Sequence, residues 1–226
     1  MIGGVNTAEI FEAVYRGESV YGPRPPWETN RPQSAFVQLA AQGRISGAVL
    51  EPGCGTGMTA LHIAGSATSV TGFDIASTAV TIARKRSAER GVRVTFKVDD
   101  ALDPAQVEGP FDTVVDCGTA RMFEPAELAA YAAALHRLCR PGAQAYALAI
   151  SDQGMRDLTA LLAEDVLAPE GGGSTQLPDV GIDYISNGLA AHWKVDSVTD
   201  SAVDYILPQW GQMIQPHAWL YHLHRN

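Results

Sequence analysis

Three glycines at alternate positions, directly after an acidic residue, form the stretch of this chain with the clearest chemical meaning. The run is Glu51-Pro-Gly-Cys-Gly-Thr-Gly, with Gly53, Gly55 and Gly57 at every second position. Glycine lets a backbone turn sharply and lie flat against a ligand, because no Cβ intervenes. The helical pattern that starts at Met58 turns its first N–H groups towards the same ligand. The spacing therefore predicts a loop that binds a small-molecule cofactor.

The loop does not match the two common phosphate-binding patterns. A Walker loop ends in Gly-Lys-Ser/Thr, whereas Met58 follows Gly57 here, and a dinucleotide fingerprint has the spacing Gly-x-Gly-x-x-Gly. Glu51 would also repel a pyrophosphate. A carboxylate at that point suits a cationic group such as the ammonium of an amino acid, so the loop favours a positively charged ligand.

Acidic residues also follow the next two predicted strands. Asp74 could accept both ribose hydroxyls of an adenosine, as an acidic residue does in dinucleotide enzymes, or it could be an N-terminal charge of the next helix; we favour the ribose. Asp99 or Asp100 could accept a hydrogen bond from the adenine amino group, and we favour Asp100. The N–H of Ala101 could then donate to a ring nitrogen, and Ile75 would pack on the adenine face.

The fourth strand ends at Asp116-Cys117, next to where the reacting group of the cofactor would sit. We do not interpret Cys117 as a nucleophile, because no histidine stands near it in the sequence to activate it. Cys54, inside the glycine loop, is interpreted as a small packing residue that touches the cofactor.

The order of the acidic strand ends, together with Glu-x-Gly-x-Gly-x-Gly, resembles the class I (Rossmann-like) S-adenosylmethionine-dependent methyltransferases over roughly residues 27–150. The segment Pro25-Pro-Trp-Glu-Thr-Asn-Arg-Pro-Gln is similar to the Pro-Trp-Asp-x-Gly-Arg-Pro-Gln element of the thiopurine and halide or thiol methyltransferase group, and of bacterial heterocycle methyltransferases. The chain departs from that element at Glu28, where the group has Asp, and at Asn30, where it has Gly.

The resemblance implies that S-adenosylmethionine is the cofactor and that the N-terminal arm folds over it. Trp27 would then pack against the donor, with Arg31 and Gln33 near the carboxylate end of the donor. The residues expected to bind the cofactor are Trp27, Arg31, Gln33, Glu51, Gly53, Cys54, Gly55, Asp74, Ile75, Asp100, Ala101, Asp116 and Cys117.

The acceptor side is less defined by the sequence. Arg121 could pair with an anionic acceptor, or it could be a surface arginine at a helix start. Aromatic residues could form flat walls for an aromatic or heterocyclic acceptor, although packing is the favoured interpretation for each of them taken singly. These aromatic residues are Tyr15, Tyr21, Tyr184 and Trp210.

The sequence identifies no catalytic base. Histidine is the residue to consider for that role, but the position of His217 relative to the cleft does not follow from the sequence. His222 and His224 share one face of a strand, yet no third ligand accompanies them, and we expect no metal.

Short apolar strands alternate with helical patterns from residue 48 onward. A helix is predicted over 78–90, ending at Gly91, and another over 125–138, with Pro125 in its first turn. This alternation indicates parallel strands joined by right-handed crossovers. The predicted fold class is α/β, a Rossmann-like doubly wound sheet of seven mostly parallel strands with an antiparallel C-terminal hairpin.

We interpret the chain of 226 residues as one methyltransferase domain. Its segments would be an N-terminal arm over the active site, a cofactor-binding core, an irregular substrate loop with Gly171-Gly-Gly at its centre, and the C-terminal strands. These segments cover residues 1–35, 36–150, 151–190 and 191–226 in that order.

The formal net charge of −9 argues against nucleic acid as the main partner, because phosphate binding needs a basic face. No apolar run is long enough for a membrane span, and no signal peptide is evident. Three widely spaced cysteines favour thiols in a reducing compartment, so we expect a cytoplasmic protein, either a monomer or a homodimer.

The leading hypothesis is methyl transfer to O, N or S of a small aromatic or heterocyclic molecule. A second hypothesis keeps the cofactor but not the transfer, as in a natural-product cyclase that uses the bound sulfonium only as a charge. Methylation of a macromolecule is a third, disfavoured by the acidic balance and by an arm that closes over the donor.

Overall fold

The computed structural model describes residues 7–19, 21–163, 181–207 and 211–226. The helices are α1 Thr7–Arg16, α2 Ser34–Ala41, α3 Met58–Ile63, α4 Ser77–Arg90, α5 Pro125–Leu138, α6 Asp152–Ala163 and α7 Asp183–Leu189, with a 3-10 turn at Ala120–Met122. The strands are β1 Ala48–Pro52, β2 Ser69–Asp74, β3 Thr95–Val98, β4 Phe111–Cys117, β5 Cys139–Ile150, β6 Trp193–Ala202, β7 Tyr205–Leu207, β8 Gln212–Ile214 and β9 His217–Arg225.

Seven of the described strands form one sheet in the order β3-β2-β1-β4-β5-β9-β6. The first five are parallel to one another, and β9 is antiparallel to both β5 and β6. The strand order reverses between β1 and β4, which is the switch point where such sheets bind ligands beyond their carboxyl ends. The predicted α/β, Rossmann-like sheet with an antiparallel C-terminal hairpin is confirmed.

Helices cover both faces of this sheet. On one face, Phe36 of α2, Ile63 of α3 and Leu158 of α6 belong to one buried apolar cluster. On the other face, Tyr131 of α5 and Ile185 of α7 belong to a second cluster. A parallel sheet covered on both faces leaves its strand ends as the accessible place for a ligand.

Helix α5 shows how local sequence sets these boundaries. Glu124 and Glu127 form a capping box at its start, and Pro125 occupies the first turn, where a missing N–H costs nothing. The prediction of a helix over 125–138 is therefore confirmed to the residue.

The prediction of an irregular loop over residues 151–190 is wrong at both of its ends, because α6 and α7 occupy them. Residues 164–180, with the Gly171-Gly-Gly run, lie outside the described residues, as do residues 1–6 and Trp210. The small antiparallel pair formed by β7 and β8, which stands apart from the main sheet, was not among the predicted elements. None of the described helices has both the length and the apolar character needed to cross a bilayer.

Candidate functional site

The loops after β1 and β4 meet at the switch point. Gly53 has a φ of 61°, and a Cβ on it would stand 2.1 Å from the Thr119 hydroxyl oxygen. That hydroxyl donates to the Pro52 carbonyl at 3.0 Å, so only a glycine fits between the two loops. The glycine run is therefore packed against the turn after β4, and Glu51 and Asp116 lie at the carboxyl ends of the neighbouring strands β1 and β4.

Glu51 is buried at the carboxyl end of β1, with 2% of its surface exposed. One carboxylate oxygen receives the Ala60 N–H, while Oε2 is buried without a hydrogen-bond partner among the residues that the structure describes. Burial raises the pKa of Glu51 to about 8, and the charges of Asp74 and Asp116 add to that rise. A buried carboxylate oxygen without a partner suits a cationic ligand group, so this residue fits the ammonium of the expected donor.

The carboxylate of Asp74 organises the cofactor loop. Its Oδ2 accepts the Gly55 N–H at 2.8 Å, and its Oδ1 accepts the Ala76 N–H at 2.9 Å, just before α4. Burial raises the pKa of Asp74, although the N–H groups oppose that shift. Each oxygen keeps a second lone pair, so the predicted contact with a ribose is compatible with these bonds and stays a prediction.

The two adjacent aspartates after β3 have different surroundings. Asp99 is used by the backbone: its oxygens accept the N–H groups of Asp100, Ala105, Gln106 and Val107. The carboxylate of Asp100 is exposed and accepts only the Leu102 N–H among the bonds described. Asp100 is therefore the more accessible of the two carboxylates, and its contact with a nucleobase stays a prediction; Ile75 and Ala101 lie partly exposed after β2 and β3.

Asp116 holds the turn after β4 in place. Its carboxylate accepts the N–H groups of Thr119 and Ala120 and the Tyr131 hydroxyl, at 2.8, 3.0 and 2.7 Å. Burial raises the pKa of Asp116 to about 6, against the effect of these donors. Burial also raises the thiol pKa values of Cys117 and Cys54, so both favour the neutral form that is a poor nucleophile.

The N-terminal arm brings its aromatic residues onto the glycine loop. The Tyr15 hydroxyl lies 2.7 Å from where a Cβ of Gly55 would be, and it accepts the Trp27 indole N–H at 3.3 Å. Tyr21 packs edge-on against Trp27, with ring centroids 5.3 Å apart. Tyr15, predicted on the acceptor side, is therefore placed against the cofactor loop, because α1 lies across α4 and the loop.

The two polar residues of the arm that were expected near the donor carboxylate lie in different settings. The Gln33 side chain makes two hydrogen bonds with the backbone of Asp204, at 2.9 and 2.7 Å. Its amide is thus used to join the arm to the segment before β7. The Arg31 side chain is exposed. A contact of either residue with the donor stays a prediction.

Arg121 is buried in the rim beyond β4, so the reading of it as a surface arginine is wrong. It is 2% exposed; its Nε donates to the Ile150 carbonyl at 3.2 Å, and its guanidinium lies 3.9 Å from Asp152. Tyr184 was also predicted on the acceptor side. Its hydroxyl donates to the Phe123 carbonyl at 2.7 Å, and this bond joins α7 to the loop after β4.

Sequence reasoning missed the part that β7 plays in this site. The Ile206 N–H donates to the Pro26 carbonyl at 2.8 Å, next to Trp27 of the arm. Burial raises the pKa of the Tyr205 phenol, and Tyr205 packs against the same buried apolar cluster as Cys117 at the end of β4. The short run Tyr205-Ile-Leu, with a proline directly after it, is a weak strand signal that could have indicated this element.

The histidines do not form a metal site. His222 and His224 both face Asp196, and the described part of the chain holds no group of three or more His, Cys, Asp or Glu side chains placed to bind a metal. His217 stands at the carboxyl rim, where its ring bonds Ser151 Oγ at 2.7 Å and Asp200 Oδ1 at 3.0 Å. Both ring nitrogens are thus engaged.

Comparison with known proteins agrees with this geometry. Residues 49–142 match the family model described as a methyltransferase domain. The chain is 32% identical over 198 residues to the 2-heptyl-1-hydroxyquinolin-4(1H)-one methyltransferase of Mycobacteroides abscessus; the alignment spans 86% of this chain and 80% of that protein.

Two solved structures are similar along almost the whole chain. One comes from work on the conversion of a disulfide bond into a thioacetal group during echinomycin biosynthesis; it is 44% identical with a TM-score of 0.90, covering 98% of this chain and 92% of that one. The other, magnesium protoporphyrin IX methyltransferase from Synechocystis PCC 6803 with bound S-adenosylhomocysteine, has a TM-score of 0.61, covers 100% of this chain and 90% of that one, and at 19% identity shows the fold alone. The chain belongs to the class I, Rossmann-like S-adenosylmethionine-dependent methyltransferases that act on small molecules.

Proposed function

We propose that this enzyme transfers the methyl group of S-adenosylmethionine to a sulfur atom of a disulfide in a small molecule, and that the product is a thioacetal. The observation that carries the proposal is the similarity over nearly the full length, 44% identity with a TM-score of 0.90, to the structure from the conversion of a disulfide into a thioacetal. That similarity covers 98% of this chain and so includes the arm and the C-terminal strands, which we expect to surround the acceptor.

The residues around the cleft fit a neutral sulfur acceptor. A disulfide sulfur has a free lone pair and needs no base before it is methylated, whereas most hydroxyl acceptors must lose a proton. The titratable groups at the cofactor loop, Glu51, Asp74 and Asp116, are buried and held by backbone or side-chain donors. Tyr21 and Trp27 give the arm an apolar aromatic surface, on which a polarizable sulfur packs well.

The residues that would hold the donor are those already placed at the strand ends. Glu51 would pair with its ammonium, Asp74 with its ribose and Asp100 with its nucleobase, while the backbone of the glycine loop would lie along its methionine part. Once bound, the donor supplies an electrophilic methyl group that needs no further activation. The protein's contribution is to orient the acceptor and to exclude water.

The overall conversion balances without an oxidant or a reductant. One disulfide sulfur gains the methyl group and becomes positively charged, which acidifies the C–H bonds on the adjacent carbon. Loss of one such proton to a base or to water leaves an electron pair on that carbon. This pair forms a new bond to the second sulfur as the S–S bond breaks, so one carbon then carries both sulfurs. The net change is one methyl gained and one proton lost.

A methyl-labelled donor and a panel of acceptors test the proposal. The panel contains a disulfide-bridged cyclic peptide, the same peptide reduced, an N-hydroxyquinolone and a simple thiol. We expect the disulfide peptide to gain one CH2 unit, to carry the label and to resist cleavage by dithiothreitol afterwards. S-adenosylhomocysteine should form in equal amount.

The other outcomes separate the alternatives. Methylation of the hydroxyquinolone alone would overturn the sulfur acceptor and favour a heterocycle hydroxyl, as the name of the Mycobacteroides relative suggests for that protein. An acceptor altered without any S-adenosylhomocysteine would instead support the use of the sulfonium as a charge only.

A further inference from the structure

Arg86, in the third turn of α4, connects three segments of the chain through one guanidinium group. Its Nη1 lies 3.3 Å from Glu28 Oε1 and 3.4 Å from the Thr56 carbonyl, and it also bonds the Thr56 hydroxyl oxygen. Its Nη2 donates to Asn30 Oδ1 at 2.5 Å. Glu28 and Asn30 belong to the N-terminal arm, and Thr56 belongs to the glycine loop.

The four residues Glu28, Asn30, Thr56 and Arg86 form a closed group, which we call the Arg86 clasp. Glu28 accepts the Thr56 hydroxyl with its second oxygen, so arm and loop are also joined directly. The side chains of Arg86 and Glu28 are only 19% and 12% exposed. Charged hydrogen bonds that are largely removed from water are among the stronger polar contacts in proteins.

Both points at which this arm departs from the thiopurine and thiol methyltransferase pattern lie in the clasp. Glu28 stands where that group has Asp, and Asn30 where it has Gly. Asn30 has a φ of 57°, a left-handed conformation that glycine and asparagine adopt more readily than other residues. The backbone shape is thus kept at this position, while the side chain adds an oxygen that meets Arg86.

A second attachment of the arm to α4 lies at the N-terminal end of this helix. Glu12 of α1 accepts the Thr78 N–H at 3.1 Å and the hydroxyls of Thr78 and Ser77 at 2.6 and 3.2 Å. Tyr15, one turn later in α1, lies against Gly55. The arm is therefore attached to α4 at two places, through Glu12 and through the Arg86 clasp. Of these two attachments, the clasp is the one that also makes hydrogen bonds to the glycine loop.

We propose that Arg86 is a positioning residue for the methyl donor. It keeps Thr56, and with it the preceding Gly55, in register with the arm that closes over the same loop. Loss of the guanidinium would leave the partly buried carboxylate of Glu28 without its charge partner and would release the arm at that point. The donor would then dissociate faster, while transfer from a fully loaded enzyme would proceed as before.

The test measures donor binding directly, without an acceptor. Titration calorimetry with S-adenosylmethionine and with S-adenosylhomocysteine is run on Arg86→Ala, Arg86→Lys and Asn30→Gly. We expect the Kd of both ligands to rise about tenfold in Arg86→Ala. Arg86→Lys should recover part of this, because an ammonium cannot reach all the acceptors that a planar guanidinium reaches. Asn30→Gly removes one oxygen but tolerates the left-handed backbone, so its effect should be smaller.

Arg84→Ala is the matched control on the same helix. The Arg84 guanidinium donates to the Phe96 carbonyl of β3, at 2.6 Å from Nη2, and not to the arm. We expect its donor Kd to match that of the unmodified enzyme. With a methyl acceptor in hand, Arg86→Ala should raise KM for the donor and leave kcat at saturating donor within about twofold.

An equal rise of the donor Kd in Arg84→Ala and Arg86→Ala would mean that Arg86 acts only through helix stability, and it would overturn the proposal. An unchanged donor Kd in Arg86→Ala would overturn it as well. If Arg86→Ala does not fold, as judged by thermal melting, Asn30→Gly and Arg86→Lys decide, because an unchanged Kd in both has the same consequence. None of these binding results depends on which acceptor the enzyme methylates.

Discussion

The hydroxyl of Tyr15 lies directly over Gly55, 2.7 Å from the position that a Cβ would take there. Gly55 also has a φ of 52°, in the left-handed region. The residue is thus constrained twice, by its backbone and by the arm above it. The arm and the cofactor loop therefore act as one surface, and a change at either should be felt as a change in donor binding.

Gly55→Ala should weaken donor binding strongly, by about tenfold or more, because the added methyl group must displace the Tyr15 hydroxyl. Gly43→Ala separates this effect from backbone strain: Gly43 has a φ of 69°, and a Cβ there would meet nothing within 4 Å. The control should lose only about 1 kcal/mol of unfolding free energy and keep its donor Kd. Equal donor Kd values in the two variants would contradict the role of the arm at Gly55.

Donor binding should release a proton through Glu51. The pKa of this residue is raised to about 8 without a ligand, so it is largely protonated at pH 7. An ammonium placed against Oε2 favours the ionised form, so the affinity for the donor should rise as pH increases from 6 towards about 8, where the ammonium begins to lose its own proton. Calorimetry at pH 7 in buffers of different ionisation enthalpy measures the protons released. Glu51→Gln should lose this release, and a buffer dependence that survives the substitution would rule Glu51 out.

The same residue should make the unliganded protein less stable as pH rises. Its folded-state pKa lies above the ordinary value of 4.5, so its contribution to stability is complete below pH 4.5 and is lost as pH rises through about 8. Glu51→Gln avoids this loss. Its unfolding free energy should exceed that of the unmodified protein by about 2–4 kcal/mol near pH 8 and by much less near pH 5. A difference that does not change with pH would contradict the buried carboxylate.

The adjacent aspartates after β3 should separate folding from recognition. Asp99→Ala removes the acceptor of four backbone N–H groups and should lower the melting temperature. Asp100→Ala leaves those bonds intact and should weaken donor binding at an unchanged melting temperature. Thermal melting and donor calorimetry on both variants check this. The opposite assignment would follow if Asp99→Ala melted normally and lost the donor.

Much of the fold could be predicted from the sequence because local signals agree with the tertiary structure. Strand-helix alternation, and the capping box with Pro125 at the start of α5, need no knowledge of distant contacts. Helices α6 and α7 were missed because each contains a glycine, which reads as a helix breaker. In the folded chain both are needed: a Cβ on Gly154 would lie 2.1 Å from the His217 carbonyl oxygen, and one on Gly188 would lie 2.2 Å from Leu128.

The candidate site divides in the same way. The glycine run and Glu51 could be predicted as cofactor residues because their chemistry is contained in seven consecutive positions. The hydrogen-bond partners of Arg86 and of the Gln33 amide could not be predicted, because they are fixed only when the arm folds back. Gln33 meets Asp204 across 171 positions of sequence, a pairing for which no local pattern exists.

The joint between Gln33, Pro26 and the segment at Asp204–Ile206 has a practical consequence for changing what this enzyme accepts. The two segments come from opposite ends of the polypeptide, yet hydrogen bonds join the Gln33 side chain to the Asp204 main chain and the Ile206 N–H to the Pro26 carbonyl. A chimera that takes only the N-terminal segment from a relative would pair it with a β7 segment from the original enzyme, and the hydrogen bonds between the two would not match. Exchanging only the β7 segment has the same defect. We therefore expect acceptor preference to be transferred between relatives only when both segments come from the same protein.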